Sequence, residues 1–444
     1  MKKSLPGLIV DDERPPASLI RRPFASPSHG GIRVIPHLRC ILLLAFALAF
    51  VTEQADAQSA RRRASTRQPA ARDTTVGVRV CGGGDVTLGT NLDTGWVHTA
   101  RARLGRRVAA LPEPDSLLEP LRPLLQDADV VLWNVEGAIG DGPVNRRKCA
   151  RGSTACFAFR MPAATAGALR RAAGDSAAVI GNVANNHARD DGDIGRRNTV
   201  RLLEEAGVLA TGVDTLATEA VTARGDTVAF LGFAQWAGPD PRDLRAVRRH
   251  VRRAAERYPR LVVTMHMGAE GRGRQNTPDA REESFGEDRG NVVAFARAAA
   301  ENGADLVIGH GPHVMRAVQW RDSTLVFYSL GNLATYGPFS LGEPLNRGGL
   351  ACAVLDADGG ILSAELRSTR QRPPGVVQPD TTHRAAALAD SLGQVDFPRT
   401  AARLDPFTGE IRRPDGSSIT PPPPVEPPPS AEPPPPAPQP RRRM

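Results

Sequence analysis

Between Val76 and Thr369 the chain alternates short apolar runs with longer stretches of helical period. Runs of strand length are Val76–Cys81, Val130–Leu132, Ala178–Val183, Val228–Phe233, Leu261–Met265, Leu306–Ile308, Leu325–Tyr328 and Leu350–Leu355. Helical patterns fall between them at Ala163–Ala173, Ile194–Ala206, Leu244–Arg253 and Asn291–Glu301. Strands alternating with helices predict an α/β fold with a largely parallel sheet. The flanks differ. Residues 1–57 hold an extension and a signal-like run, 58–75 read as a flexible Ser/Arg/Ala-rich linker, 370–419 as a polar C-terminal extension with a short helix near Thr382–Leu392, and 420–444 as a Pro-rich tail favouring polyproline II.

The residues just past each strand carry the chemistry. Val76–Cys81 leads into Gly82-Gly83-Gly84-Asp85, and Val130–Leu132 into Trp133-Asn134-Val135-Glu136. Ala178–Val183 leads into Ala184-Asn185-Asn186-His187, Leu261–Met265 into His266 and Glu270, and Leu306–Ile308 into His310 and His313. Ligands of open α/β sheets bind beyond the carboxyl ends of the strands. Four of the chain's nine histidines fall in these segments, which points to one shared site rather than isolated caps. Carboxylate, carboxamide and imidazole together suit Mn, Fe or Zn, and the lack of clustered thiolates argues against a structural zinc site. The expected ligands are Asp85, Glu136, Asn186, His266, His310 and His313, enough for one open ion or two sharing Glu136. Glycines at 82–84, 89 and 309 would let backbone approach ions or anionic oxygens closely.

Composition adds compartment and charge. Cys40–Val51 is an apolar run too short to span a bilayer and of the length of a signal core, with the small-residue triplet Ala55-Asp56-Ala57 after it. Export to the periplasm or cell envelope is expected, with a membrane tether if the signal is not cleaved. Of the remaining cysteines, Cys149 and Cys156 are the better disulfide candidates, whereas Cys81 and Cys352 sit in strand-like runs and read as core thiols. The net charge is +9, and all basic residues but Lys2, Lys3 and Lys148 are arginine. A bias toward arginine accounts for this without a partner; a polyanion is the functional alternative. Much of the excess is read as lying in terminal runs such as Arg61–Arg63 and Arg441–Arg443. No zinc-finger spacing, recognition-helix motif or basic strip interleaved with aromatics is present, so no nucleic-acid partner is expected.

The strand-end motifs resemble those of the CapA family of capsule and poly-γ-glutamate synthesis. Gly84-Asp85-Val86-Thr87-Leu88-Gly89 resembles GD-x-x-LG, Asn134-Val135-Glu136 resembles N-x-E, and Asn185-Asn186-His187-Ala188-Arg189-Asp190 resembles NNH-x-x-D. His266-Met267-Gly268-Ala269-Glu270 resembles H-x-G-x-E, and Tyr328-Ser329-Leu330-Gly331-Asn332 resembles YSLGN. The resemblance implies a calcineurin-like metallophosphoesterase fold, a sandwich of β-sheets flanked by helices, over residues 76–369. It implies a metal-dependent hydrolase of a phosphoester or γ-glutamyl polymer, with one or two divalent ions. His187 would act as general acid or orient the leaving group, and Glu270 would activate or position water. Asp190 would orient His187 or cap the next helix. Partners would be an anionic envelope polymer and a capsule-synthesis membrane complex. The alternative is a non-catalytic, metal-containing scaffold that guides an acidic polymer. Two departures bear on the ion site: Gly311 stands where the family commonly has His (GHHPHV), and Thr87 stands where the wider superfamily's D-x-H has His.

Overall fold

The structure is a computed structural model that describes residues 77–91, 111–144, 157–337 and 340–419. The signal-like run, the 58–75 linker, Cys149, Cys156 and the 420–444 tail lie outside the described residues.

Two sheets are built from β1 (Val78–Leu88), β2 (Val130–Val135), β3 (Ala178–Asn182), β4 (Leu209–Thr211), β5 (Thr218–Val221), β6 (Thr227–Ala234), β7 (Leu261–His266), β8 (Leu306–His310), β9 (Val318–Arg321), β10 (Thr324–Phe327), β11 (Asn332–Tyr336), β12 (Arg347–Leu355), β13 (Ile361–Arg372) and β14 (Val376–Pro379). The first sheet runs β14-β13-β12-β1-β2-β3-β4, with β11 also on β1; the second runs β9-β10-β8-β7-β6-β5. Strands β1 to β4 are parallel, as are β6, β7, β8 and β10; antiparallel partners β12, β13 and β14 complete one side of the first sheet, and β5 and β9 both edges of the second. The largely parallel arrangement expected from the strand–helix alternation is therefore divided between two sheets, each parallel in part.

Strand side chains alternate between faces, so each sheet has two apolar surfaces to cover. Val78, Val80, Val130, Leu132 and Ile180 of the first sheet share a core with Phe230, Val262, Leu306, Ile308 and Phe327 of the second. The first sheet's other face, with Cys81, Val131, Trp133 and Val179, packs on Leu117 and Leu118 of α1 (Pro114–Leu118), Leu169 of α2 (Ala164–Ala172) and Leu203 of α3 (Gly192–Glu205). The second sheet's other face, with Leu231, Val263, Met265 and Val307, packs on Val247 and Val251 of α4 (Leu244–Ala255) and Phe295 of α5 (Val292–Ala300). The result is a helix–sheet–sheet–helix sandwich, the architecture implied by the resemblance. Ala385, Ala386 and Ala389 of α6 (Arg384–Asp396) join the core between the sheets, and β13 crosses the expected boundary at residues 369 and 370.

Two expectations are corrected. Cys81 and Cys352 are not free core thiols. They face each other across the β1–β12 pair and form a disulfide joining positions 271 residues apart. The glycines at 82–84 are not a loop held open for ions but strand positions. A Cβ would lie 2.5 Å from Ile308 at Gly82, 2.5 Å from Leu333 at Gly83 and 2.2 Å from the Gly331 carbonyl at Gly84. β1 is central and covered on both faces, and side chains there would collide with its neighbours.

Candidate metal centre

Strand register assembles the site. Across the first sheet Asp85 of β1 pairs with Asn134 of β2 and with Asn332 of β11, and Asn134 pairs with Asn182 of β3. Across the second sheet His266 of β7 pairs with His310 of β8. Each sheet thus ends in a polar row at the carboxyl ends of its parallel strands, and the two rows meet at the mouth of the shared core.

The rows interlock through named atoms. Asn134 Nδ2 donates to Asp85 Oδ1 at 2.8 Å, while its Oδ1 accepts from Asn182 Nδ2 at 2.9 Å. This fixes the amide so that its NH2 group faces His266 Nδ1 at 3.3 Å. Nδ1 of neutral His266 is then an acceptor, and the ring proton sits on Nε2, 3.6 Å from Glu136 Oε1. His313 Nδ1 bonds Asn332 Oδ1 at 3.1 Å and forms an ion pair with Asp85 Oδ2 at 3.0 Å; its Nε2 is 3.6 Å from Glu136 Oε1 and 4.0 Å from Glu270 Oε2. His310 Nδ1 is 3.7 Å from Asp85 Oδ1. His313 reaches this position from a left-handed backbone, φ 58°, a conformation non-glycine residues hold only when their surroundings impose it.

Ligand atoms of Asp85, Glu136 and His313 all lie within 4.8 Å of one another, so this triad could hold a metal ion. The fit is supported by what the cluster leaves unsatisfied. Asp85 Oδ2, both oxygens of Glu136, His266 Nε2 and both ring nitrogens of His310 are buried without a hydrogen-bond partner. Native interiors seldom leave such groups unpaired, because each costs its full desolvation. A divalent cation would satisfy several at once.

Electrostatics point the same way. Burial alone would raise Asp85, but the adjoining His313 imidazole, with His266 and His310 behind it, holds its carboxyl well below the usual carboxylate range. Burial, reinforced by the charge of Asp85, pushes Glu136 well above it. Burial drives His266 far down and His310 to about 4. Burial would also lower His313, yet Glu136 and Asp85 outweigh it and raise that imidazole to about 10. Two carboxylates and three imidazoles packed this closely compete for protons, the competition a bound cation removes.

A sequence profile described as "Bacterial capsule synthesis protein PGA_cap" matches residues 79–336, which include every strand end described above. The chain belongs to the PGA_cap family. It is similar to "PGA biosynthesis protein CapA" of Bacillus subtilis (strain 168), at 26% identity over 249 residues, covering 52% of this chain and 60% of the relative. "Capsule biosynthesis protein CapA" of Bacillus anthracis is 28% identical over 171 residues, 34% of this chain and 38% of the relative. The chain therefore spans less than two thirds of the length of either. A solved structure, "GAP50 the anchor in the inner membrane complex of Plasmodium", overlaps 68% of this chain and 88% of its own at 10% identity and a TM-score of 0.32, too loosely to bear on fold or function.

The departures from the family motifs have physical readings. Gly311 has φ +105°, and a Cβ there would lie 3.1 Å from both Cδ2 and Nε2 of His266. In this chain the position needs glycine, and any side chain would press on a site imidazole. Thr87 donates from Oγ1 to the Glu136 carbonyl at 2.9 Å, and the Glu136 amide donates to the Val86 carbonyl at 3.0 Å. Where an imidazole would add a ligand, the hydroxyl instead secures the backbone of Glu136.

The remaining expected residues lie around this cluster. His187 is buried, with Nδ1 2.5 Å from Asp190 Oδ2 and its ring 4.4 Å from that of Phe159. Asp190 therefore orients His187, and the residue preceding α3 is Asp191. Asn186 presents an unpartnered, buried Oδ1. Neither Asn186 nor His187 is joined to the Asp85–Glu136–His313 triad by a hydrogen bond or ion pair among the described residues. Asn185 instead ties their loop to β2, donating from Nδ2 to the Val135 carbonyl at 2.8 Å. Glu270 forms an ion pair with buried Arg289, Oε1 to a guanidinium nitrogen at 2.6 Å.

Residues outside the expected ligand set hold the site in shape. Asn134 and Asn182 fix Asp85 and His266, Asn332 fixes His313, and Arg289 fixes Glu270. Buried Arg316 makes bidentate bonds to Glu282, at 2.7 and 2.8 Å, and also donates to the carbonyls of Ala269 and Arg274. It thereby clamps the segment bearing Glu270. Asn134 and Asn182 carried a usable signal, since each stands at or next to the end of an apolar strand. Arg316 and Arg289 carried none, because their partners are fixed by loops distant in sequence.

Proposed function

We propose that this chain is an exported cell-envelope protein of capsule-polymer synthesis that acts as a metal-dependent hydrolase. Its substrate would be a phosphoester or a γ-glutamyl link in an anionic polymer. Asp85, Glu136, Asn186, His266, His310 and His313 would hold one or two divalent ions, of Mn, Fe or Zn. The observation that carries this reading is the set of buried atoms on Glu136, His266 and His310 that have no hydrogen-bond partner. A bound divalent ion supplies Lewis acidity, polarising the scissile group and the water that attacks it.

The chain's own residues supply proton handling. Asp190 holds Nδ1 of His187, leaving Nε2 to exchange a proton with a leaving group. Arg289 holds one oxygen of Glu270 and leaves Oε2 facing the site to orient a water. The asparagines at 134, 182 and 332 keep the ligands in place without motion on binding. Export is supported by the signal-like run before Ala57 and by the Cys81–Cys352 disulfide, a bond favoured in oxidising compartments.

Purified protein supplied with Mn, Fe and Zn is expected to retain a transition metal by elemental analysis. It is also expected to turn over a generic phosphodiester or a γ-glutamyl oligomer. His187→Ala is expected to abolish turnover while leaving metal content intact. Metal retention without turnover of any such substrate, together with polymer binding, would replace the hydrolase with a metal-containing scaffold. Absence of metal would remove both readings.

A further inference from the structure

One cluster of arginines has a specific place in the fold. Helix α4 and the turn after it carry Arg245, Arg248, Arg249, Arg252, Arg253 and Arg257 against a single acid, Glu256. All but the half-buried Arg248 are exposed. None of the six forms an ion pair with a carboxylate among the described residues. Arg252 bonds the Asn302 side chain, Arg248 reaches the Leu244 carbonyl, and Arg257 lies over Tyr258. Asp243 is occupied as the helix cap, accepting from the amides of Arg245 and Ala246. Val247, Val251 and Ala254 bury the inner face, so the arginines form the outer one. Arg245, Arg249 and Arg253 succeed one another about 6 Å apart along the axis. Like charges at this spacing destabilise a helix.

The stripe leads to the metal centre. α4 comes after β6 and before β7, so it runs antiparallel to the strands and begins at the end of the sheet where His266 lies. Just before α4, Arg242 packs against Gly290 and lies 3.8 Å from Asp288, on the strand whose Arg289 holds Glu270. A chain laid along α4 toward its N-terminus would arrive beside Glu270.

We propose that the outer face of α4 is a track for a linear polycarboxylate, guiding it toward the Asp85–Glu136–His313 cluster. This rests on the capsule-polymer reading above and assigns the polymer a binding surface outside the metal centre. The chemistry is charge complementarity between evenly spaced guanidinium groups and evenly spaced carboxylates. A bilayer fits less well, because none of the exposed large apolar side chains lies on α4 to enter it. Nucleic acid fits less well, because no exposed aromatic stripe accompanies the arginines to stack on bases.

The test uses full-length protein, metal-loaded, with poly-γ-glutamate of defined length as probe. Binding is measured by fluorescence anisotropy at several salt concentrations. Wild type is expected to bind, more weakly as salt rises. R245Q/R249Q/R253Q is expected to lose about tenfold or more in affinity, from about two- to threefold per exposed ion pair, with its metal content unchanged and its melting temperature no lower. The lysine version, R245K/R249K/R253K, should retain most of the affinity. Asp85→Ala, which impairs the metal centre and leaves α4 intact, should still bind polymer, so failure of the track and failure of the metal centre are distinguishable. Wild-type affinity in the glutamine variant would overturn the proposal. So would a wild-type preference for phosphatidylglycerol vesicles or duplex DNA over the polymer.

Discussion

Replacing Arg316 with methionine isolates the clamp beneath Glu270. The guanidinium is fully buried and Glu282 nearly so, and the two are joined by bonds of 2.7 and 2.8 Å. Methionine fills much of the volume but leaves the Glu282 carboxylate buried and uncompensated, a loss of about 3–5 kcal/mol. The carbonyls of Ala269 and Arg274 also lose their donor. In R316M/E282L the stranded charge is gone. Those two carbonyls stay unpaired, as does the Ala269 amide, which donates to Glu282 at 3.3 Å, so roughly 1–3 kcal/mol of the penalty should persist. The double variant is therefore expected to be more stable than R316M alone. Urea unfolding of the four proteins in the cycle measures this, with unchanged m-values as the check on comparable unfolding. Hydrogen exchange at Ala269–Gly271 should rise in both variants, because the segment is untied either way. A loss below about 1 kcal/mol in R316M, or a double variant no better than the single, would refute the account of Glu282 as a stranded charge.

Four further outcomes are expected. Asp85→Ala and His266→Ala should each cut bound metal by at least about tenfold without unfolding the domain, read by elemental analysis and circular dichroism; full metal occupancy in both would remove these residues as ligands. Gly311→Ala should lower stability by about 1–2 kcal/mol, since alanine resists φ +105°, and weaken metal binding by pressing on His266; unchanged metal affinity would show that the imidazole moves aside freely. Asp305, raised to about 7 by burial first and by Asp356 next, keeps its proton in the fold at pH values where the unfolded chain has released it. Stability is thus lost as pH rises from about 4 to about 7, and Asp305→Asn should flatten that fall in a denaturation series; an unaltered pH profile would exclude Asp305 as its source. Reducing the Cys81–Cys352 disulfide should lower stability by about 2–5 kcal/mol, and non-reducing peptide mapping should recover the linked pair; two free thiols in exported protein would contradict the pairing.

The sequence alone determined the α/β alternation and which polar residues stand at the strand ends. Both come from local rules: apolar runs of strand length separated by helical periods, with Asp85, Glu136, His266, His310 and His313 at the points where those runs give way. The sequence also contained the arginines of α4 in plain view, yet only the packing of Val247, Val251 and Ala254 against the second sheet determined that they form one outward face. Tertiary structure alone decided that the strands divide between two sheets, because the choice depends on which apolar faces cover each other. It decided that β13 and α6 belong to the same sandwich, since the sheet that a half-buried strand such as Ile361–Arg372 joins depends on its partners. It made Cys81 and Cys352 partners, as a strand pair 271 residues apart leaves no local mark. It also made three asparagines the struts of the site. Asn134, Asn182 and Asn332 fall in register with Asp85 across neighbouring strands, and register is a property of paired strands that no single segment contains.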